Sequence, residues 1–114
     1  DVVASTLPNP AELGHLMSGK TCAGTWIKGL DKEGKASEKY FYHVLDNKDS
    51  MDRWGHQCVV TQTALGPVIA MELIATGVWS GVGVQGPEFF DPGPFLDLLN
   101  EYNCPWGEMD VVDN

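Results

Sequence analysis

Apolar positions alternate along two stretches near the start of the chain and then become dense. Lys20–Leu30 (KTCAGTWIKGL) and Lys39–Asp46 (KYFYHVLD) are rich in Thr, Ile, Trp, Val, Tyr and Phe. They flank a charged turn, DKEGKASE, that contains Gly34. The pattern predicts a β-hairpin whose loop is longer than two residues. On the second strand Tyr40, Tyr42 and Val44 share one face, and Phe41, His43 and Leu45 share the other. Both faces are apolar, so each strand is expected to be covered on both sides. Asp1–Leu16, with Pro8 and Pro10, reads as an irregular lead-in, and Asp46–Gly55 (DNKDSMDRWG) reads as a polar connection.

Gln57–Thr76 is too densely apolar for an amphipathic surface helix, and Gly77 follows where a C′ residue is expected. Pro67 inside a helix loses a hydrogen bond and clashes with the preceding turn. A boundary is therefore expected at Gly66, with Pro67 opening a helix Pro67–Thr76. Gln57–Leu65 is open to either helix or strand, and Val82–Gly86 could add a short strand. Asp91–Asn103 is the clearest helix. Asp91 is placed to cap it, Pro92 or Pro94 suits its first turn, and Pro105 blocks its continuation. Phe95, Leu98, Leu99 and Tyr102 recur at i, i+3, i+4 and i+7. The order of elements predicts an α+β domain: a small, mainly antiparallel sheet with a hairpin at about 20–46, packed by helices at about 57–76 and 92–103.

Charge sharpens this picture. From Gly55 to Pro87 the only formal charge is Glu72, and beyond Arg53 there is no Lys or Arg. That run is too apolar for a wetted surface. Gln57, Gln62, the Gly66-Pro67 pair and Glu72 interrupt it short of the ~18 apolar residues a membrane crossing needs. It is expected to be a core element, or a face covered by another domain or subunit. The net charge is −9, and residues 54–114 hold eight acids and no base. Nucleic acid and anionic membranes need the opposite sign, so neither is expected as a partner; a cationic ligand fits better. At 114 residues and 43% hydrophobic, the chain can bury a core without metal or disulfides. Cys22, Cys58 and Cys104 are widely spaced, with no CxxC pair. They read as free thiols in a reducing, cytoplasmic compartment, with no metal site. The chain begins DVVAST without Met or a targeting segment, and is expected to be a single-domain piece of a longer protein.

Two motif matches fail on context. Gly81-Val-Gly83-Val-Gln-Gly86 satisfies G-x-G-x-x-G, but that fingerprint works between a strand and a helix, and Pro87-Glu-Phe-Phe-Asp-Pro92 cannot open that helix. Gly29-LDKE-Gly34-Lys35-Ala36 ends in Ala where a P-loop needs a hydroxyl, and puts acids where phosphate would lie. Asp46, Asp49 and Asp52 lack the alternating spacing of a calcium loop. His43, His56 and Asp46 lack metal-ligand spacing. His43, within a strand of aromatics, reads as a hydrogen-bonded core histidine.

The segments KTCAGTW, HVLDNKDSM, WGHQCVVTQTALGP, ATGVWSGVGVQGPEFFDPGPFLDLL and CPWG resemble the C-terminal part of saccharopine dehydrogenase-like oxidoreductases, over roughly residues 7 to 107. The most specific pieces are the Thr- and Gln-bearing segment before Gly66-Pro67, then G-V-x-G-P-E, then D-P-x-P-F-L. The resemblance implies the second, α+β domain of an enzyme whose N-terminal Rossmann domain, absent here, binds NAD(P). In that family the second domain's sheet builds the substrate site and dimer contacts, so a homodimer is implied and no cofactor site in this piece. Two relatives compete. Saccharopine dehydrogenase acts on a secondary amine formed from an amino acid and a 2-oxo acid, and the wording of HVLDNKDSM and QTALGPVIAMELIATG is closer to it. Carboxynorspermidine synthase, of polyamine biosynthesis, joins a diamine and an aldehyde. A free-standing, non-catalytic ligand-binding module is a third reading.

Within that resemblance, Thr61, Gln62 and Thr63 are candidate substrate contacts, polar groups in an apolar run before Pro67; capping or core hydrogen bonding is the alternative. Replacing Gln62 or Thr63 with an apolar isostere is then expected to harm turnover more than folding. Glu88 is a candidate for a substrate ammonium, or a solvated loop acid. Lys20, Lys28 and Arg53 are among the seven cations available to a carboxylate. Trp26, Trp54, Trp79 and Trp106 read as core or interface anchors. The absence of any cation in residues 54–114 departs from what a ligand with several carboxylates requires.

Overall fold

In the computed structural model, which describes residues 2–111, an α+β fold is built on a three-stranded antiparallel sheet of order β1-β2-β3. Strands β1 (Lys20–Leu30) and β2 (Ala36–Asp46) form the hairpin, in register Lys20↔Asp46 through Leu30↔Ala36. The loop between them is tied by the Asp31 carboxylate, which accepts from the amides of Glu33 and Lys35, and Gly34 supplies a φ of 79°. Before the hairpin lie two short helices, α1 (Val2–Thr6) and α2 (Pro10–Leu13), and a 3₁₀ turn. The lead-in is therefore mostly helical turns; Asp1 lies outside the described residues.

The segment expected as a polar connection is a helix, α3 (Asn47–Trp54). Its signals are local. The Asp46 carboxylate caps the amides of Lys48 and Asp49, and Gly55 closes it at φ 71°. The Asn47 side chain then joins three segments: its amide donates to the carbonyls of Gly14 and Met17, and its oxygen accepts from Cys58 N.

Helix α4 runs unbroken from Cys58 to Ala75 with Pro67 inside it, so the expected boundary at Gly66 is absent. Pro67 removes only the bond to the carbonyl of Thr63. Both residues lie on the exposed side of α4, where water can replace that bond. Gly66 carries no Cβ to crowd the proline ring. An unbroken α4 is long and apolar enough, by length and composition, to cross a membrane, so interruption no longer argues against a crossing. Three of its polar side chains, Thr61, Gln62 and Glu72, are hydrogen-bonded to residues of other elements.

One stripe of α4 (Cys58, Leu65, Ile69 and Leu73) builds the core with Leu45, Trp79, Leu99 and Cys104. Helix α5 (Gly93–Glu101) sits where expected. Its N-cap is Pro92, not the expected Asp91, whose carboxylate accepts from Gly93 N in the turn that leads into the helix; Leu99 is buried while Phe95, Leu98 and Tyr102 pack on the core. Trp79 donates from Nε1 to the Asp91 carbonyl and stacks on Phe90 and Phe95. Strand β3 (Trp106–Asp110), not anticipated, pairs with β2 from His43↔Trp106 to Lys39↔Asp110. The expected strand Val82–Gly86 is an irregular loop, with Val82 and Val84 fully in solvent and Gly83 at φ 81°.

The sheet is not covered on both sides. Helices pack on the face bearing Phe41, His43 and Leu45, while β1 is exposed almost throughout and Trp26 is 65% exposed. On the open face the tyrosines cover their neighbours. Tyr40 lies over Gly24, Tyr42 lies over Gly107, and the two rings stack at 5.6 Å. The far half of the hairpin projects, which raises the radius of gyration to 17.9 Å, against about 13 Å for a compact chain of this length.

Candidate functional site

The helix-facing side of β2 gathers the polar groups of the fold. Gln62, half-buried on α4, reaches both hairpin strands. Thr21 Oγ1 donates to Gln62 Oε1 at 2.6 Å, and Gln62 Nε2 donates to the carbonyls of Thr21 and His43, each at 3.3 Å. The same nitrogen is 3.5 Å from His43 Nδ1, which lies 3.2 Å from Cys104 Sγ. One side chain thus fastens the long helix to two strands, and the imidazole ties in the segment before β3. Among the described residues, no fully buried side-chain nitrogen or oxygen lacks a partner.

Burial lowers the pKa of His43 and raises that of Cys104. Both shifts favour the neutral forms, so the pair is not the thiolate–imidazolium couple of a cysteine nucleophile.

Beside this cluster a cleft of about 400 Å³ separates the sheet from α5. Ala23, Thr25, Phe41, His43 and Trp106 line the sheet side, and Leu96 and Leu99 the helix side. The rings of Phe41 and Trp106 stack with centroids 6.5 Å apart. None of the lining residues is Lys or Arg. The nearest cation along β2, Lys39, is engaged by Glu108 at 3.3 Å and Asp110 at 3.7 Å, and Glu108 above all raises its pKa. A larger hollow of about 470 Å³, between the end of α4 and the Gly77–Phe90 loop, carries no titratable side chain. The cleft joins an apolar wall to a polar cluster, and is the candidate site.

The expected site residues are dispersed. Thr61, Gln62 and Thr63 point three ways, as consecutive helical positions must. Thr61 is buried, with its hydroxyl 2.7 Å from that of Ser50; Gln62 turns to the hairpin; Thr63 is exposed and donates to the Val59 carbonyl. Lys20 opens β1 with an exposed side chain. Lys28 pairs with Glu38 at 3.0 Å, and Arg53 stacks over Trp54. Glu88, exposed, folds its carboxylate back against Gly86. Among these, only Gln62 reaches the His43 cluster. Thr21 and Cys104 complete it; from sequence alone Thr21 had no site role and Cys104 read only as a free thiol. Thr21 is legible as the residue that alternation places on the face of Ala23 and Thr25, whereas Cys104 carries no local signal.

The glycines of Gly81–Gly86 lie in the irregular loop, followed by a 3₁₀ turn (Pro87–Phe89). That arrangement offers no strand–turn–helix unit for a dinucleotide. Among the described residues no cluster of His, Cys, Asp or Glu could hold a metal ion.

Two expected results test the cluster. Gln62→Leu leaves two strand carbonyls and the Thr21 hydroxyl without their partner, and is expected to lower stability by about 1–3 kcal/mol. Thermal unfolding of this variant beside Thr63→Val, which should change little, checks it. For His43 the folded pKa lies below the unfolded value of about 6.5, so the unfolded chain takes up the proton first. Stability is therefore full above about pH 6.5 and declines as pH falls from there through the lowered folded pKa. That slope should be missing from denaturation curves of His43→Gln.

No protein-family model matches the chain. It is 34% identical over 105 residues to the carboxyaminopropylagmatine dehydrogenase of Synechocystis sp., covering 92% of this chain and 26% of that protein. It is 30% identical over 110 residues to the carboxynorspermidine synthase of Vibrio cholerae, covering 96% and 26% respectively. To the carboxynorspermidine synthase of Vibrio alginolyticus it is 30% identical over 105 residues, covering 92% and 25%. Nearly the whole chain is thus similar to enzymes of these two names, and it spans about a quarter of the length of the curated relatives it matches.

Proposed function

We propose that this chain is the C-terminal substrate-binding and dimerisation domain of an NAD(P)-dependent oxidoreductase that acts on a carboxylated secondary amine of polyamine type. Similarity along more than nine-tenths of the chain to a carboxyaminopropylagmatine dehydrogenase and two carboxynorspermidine synthases is the observation that carries this reading. The cleft agrees with it. Its aromatic wall suits an alkyl chain, and its lack of Lys and Arg suits a ligand rich in ammonium groups. A saccharopine-type substrate, favoured by the wording of two segments, brings several carboxylates for which the cleft offers no cation. The polyamine reading is therefore preferred.

The hydride chemistry belongs to a nicotinamide cofactor held by another part of the protein, since the glycine loop here does not fit one. What this chain contributes is an apolar, shaped wall that excludes water and orients the carbon chain. A cytoplasmic homodimer is part of the proposal, supported by uncovered apolar surface on the open sheet face (Trp26, Met109) and on α4 (Val60, Met71). Neither nucleic acid nor membrane is proposed as a partner.

The test is a reductive-condensation assay on the native full-length protein, following loss of reduced nicotinamide. A diamine with a carboxylated aldehyde is expected to turn over faster than an amino acid with a 2-oxo acid. The opposite preference would install the saccharopine reading. A native chain no longer than this one, inactive with both pairs, would leave a ligand-binding module.

A further inference from the structure

The amide of Gln62 is oriented by its partners: Oε1 takes the Thr21 hydroxyl, and Nε2 faces the carbonyls of Thr21 and His43. That leaves amide hydrogens, not a lone pair, on the side of His43 Nδ1. A proton on Nδ1 would be aimed at them. The Cys104 thiol, 3.2 Å from the same atom, has a hydrogen to give. The Gln62 amide requires Nδ1 to accept, and the Cys104 thiol, able to give or take a hydrogen, can meet it as a donor, so the ring proton of neutral His43 is assigned to Nε2. Nε2 has no hydrogen-bond partner among the described residues, and the ring lines the cleft.

We infer that His43 Nε2–H is the hydrogen-bond donor with which the cleft recognises its ligand, and that the group it selects is a carbonyl or carboxylate oxygen at the end of an alkyl chain lying along Phe41 and Trp106. An ammonium group, itself only a donor, is refused at this position. The Thr25 hydroxyl and the Trp106 indole N–H are the other polar side-chain groups of the sheet residues lining the cleft; of the charged groups nearby, Glu108 stands opposite Phe41, and Lys39 and Asp110 pair two residues farther along the strands. The inference names the group recognised by the proposed substrate site, and so rests on the substrate-binding reading. Its test needs no turnover, so its failure removes the role of His43 without deciding the reaction of the whole enzyme.

The experiment uses the native full-length protein labelled with ¹⁵N-histidine, read by long-range proton–nitrogen spectra at neutral pH. His43 is expected as the Nε2–H tautomer. Butyrate should shift its Nε2 resonance saturably, whereas butylamine, of equal chain length, should not. His43→Gln, whose amide nitrogen stands near the place of Nε2, should retain butyrate binding. His43→Asn, whose amide reaches only the place of Nδ1, should weaken it about tenfold, the loss of one good hydrogen bond. An Nδ1–H tautomer, equal response to butyrate and butylamine, or no saturable shift with butyrate overturns the inference. The first of these is read on the unmodified protein, so it stands even if both variants fold poorly.

Discussion

Gly24→Val is expected to destabilise the chain by about 3 kcal/mol, the upper range for forcing extra atoms into a filled space. Gly24 sits at the middle of β1, opposite Tyr42. A Cβ there would press inside van der Waals contact with the Phe41 carbonyl oxygen and would meet the Tyr40 ring at 2.8 Å. A side-chain tip can swing away, but a strand carbonyl moves only with its strand. The hairpin must therefore splay or slip where it walls the cleft. Gly29→Val, five residues along the same strand, meets nothing within 4 Å and supplies the comparison. Valine suits a strand, so this change should leave stability level or slightly raised. Denaturant unfolding of the two variants decides the matter. Equal losses would mean that valine harms β1 anywhere, and the tyrosine-over-glycine account would fall.

Ile69→Ala is expected to cost about 2–5 kcal/mol, as deletion of a large aliphatic side chain from a packed site generally does. Ile69 is 0% exposed and sits in the core cluster with Leu45 of the sheet and Leu99 of α5. It therefore helps hold the two walls of the cleft in place. Val68→Ala, on the exposed side of the same helix, controls for lost β-branching and should change stability little. Since a domain of this size has only about 5–15 kcal/mol in hand, Ile69→Ala should also lower the yield of folded protein.

The hairpin, α5 and the α+β class were legible because their signals are local: β-branched and aromatic runs around a glycine turn, and an i, i+3, i+4, i+7 stripe after an Asp-Pro turn. Helix α3 was equally readable from Asp46, Asp49 and Gly55, but its polar surface hid it from a search for apolar periodicity. Pro67 misled because its cost depends on where its missing bond points, and that is set only when α4 docks with Thr63 outward. Strand β3 is too short to announce itself and exists because β2 offers it an edge. The candidate site was harder still. Gln62 drew notice as a polar residue in an apolar run, yet its partners Thr21 and His43, and the Cys104 that His43 meets in turn, come from three other places in the chain. No spacing rule links them.

The pairing of β2 with β3 joins Tyr42 to Gly107, while the hairpin closes over a five-residue loop. Closing the longer loop costs more chain entropy, so during folding the hairpin is expected early and β3 late. Trp106 stands on β3, and Cys104 just before it. The cleft is thus the last part of the molecule to assemble. As a short edge strand held by five pairs, β3 is also among the first to fray. A protein that has released β3 would keep most of its helix and hairpin signal in circular dichroism and have no binding wall. Loss of function should therefore precede loss of secondary structure on warming.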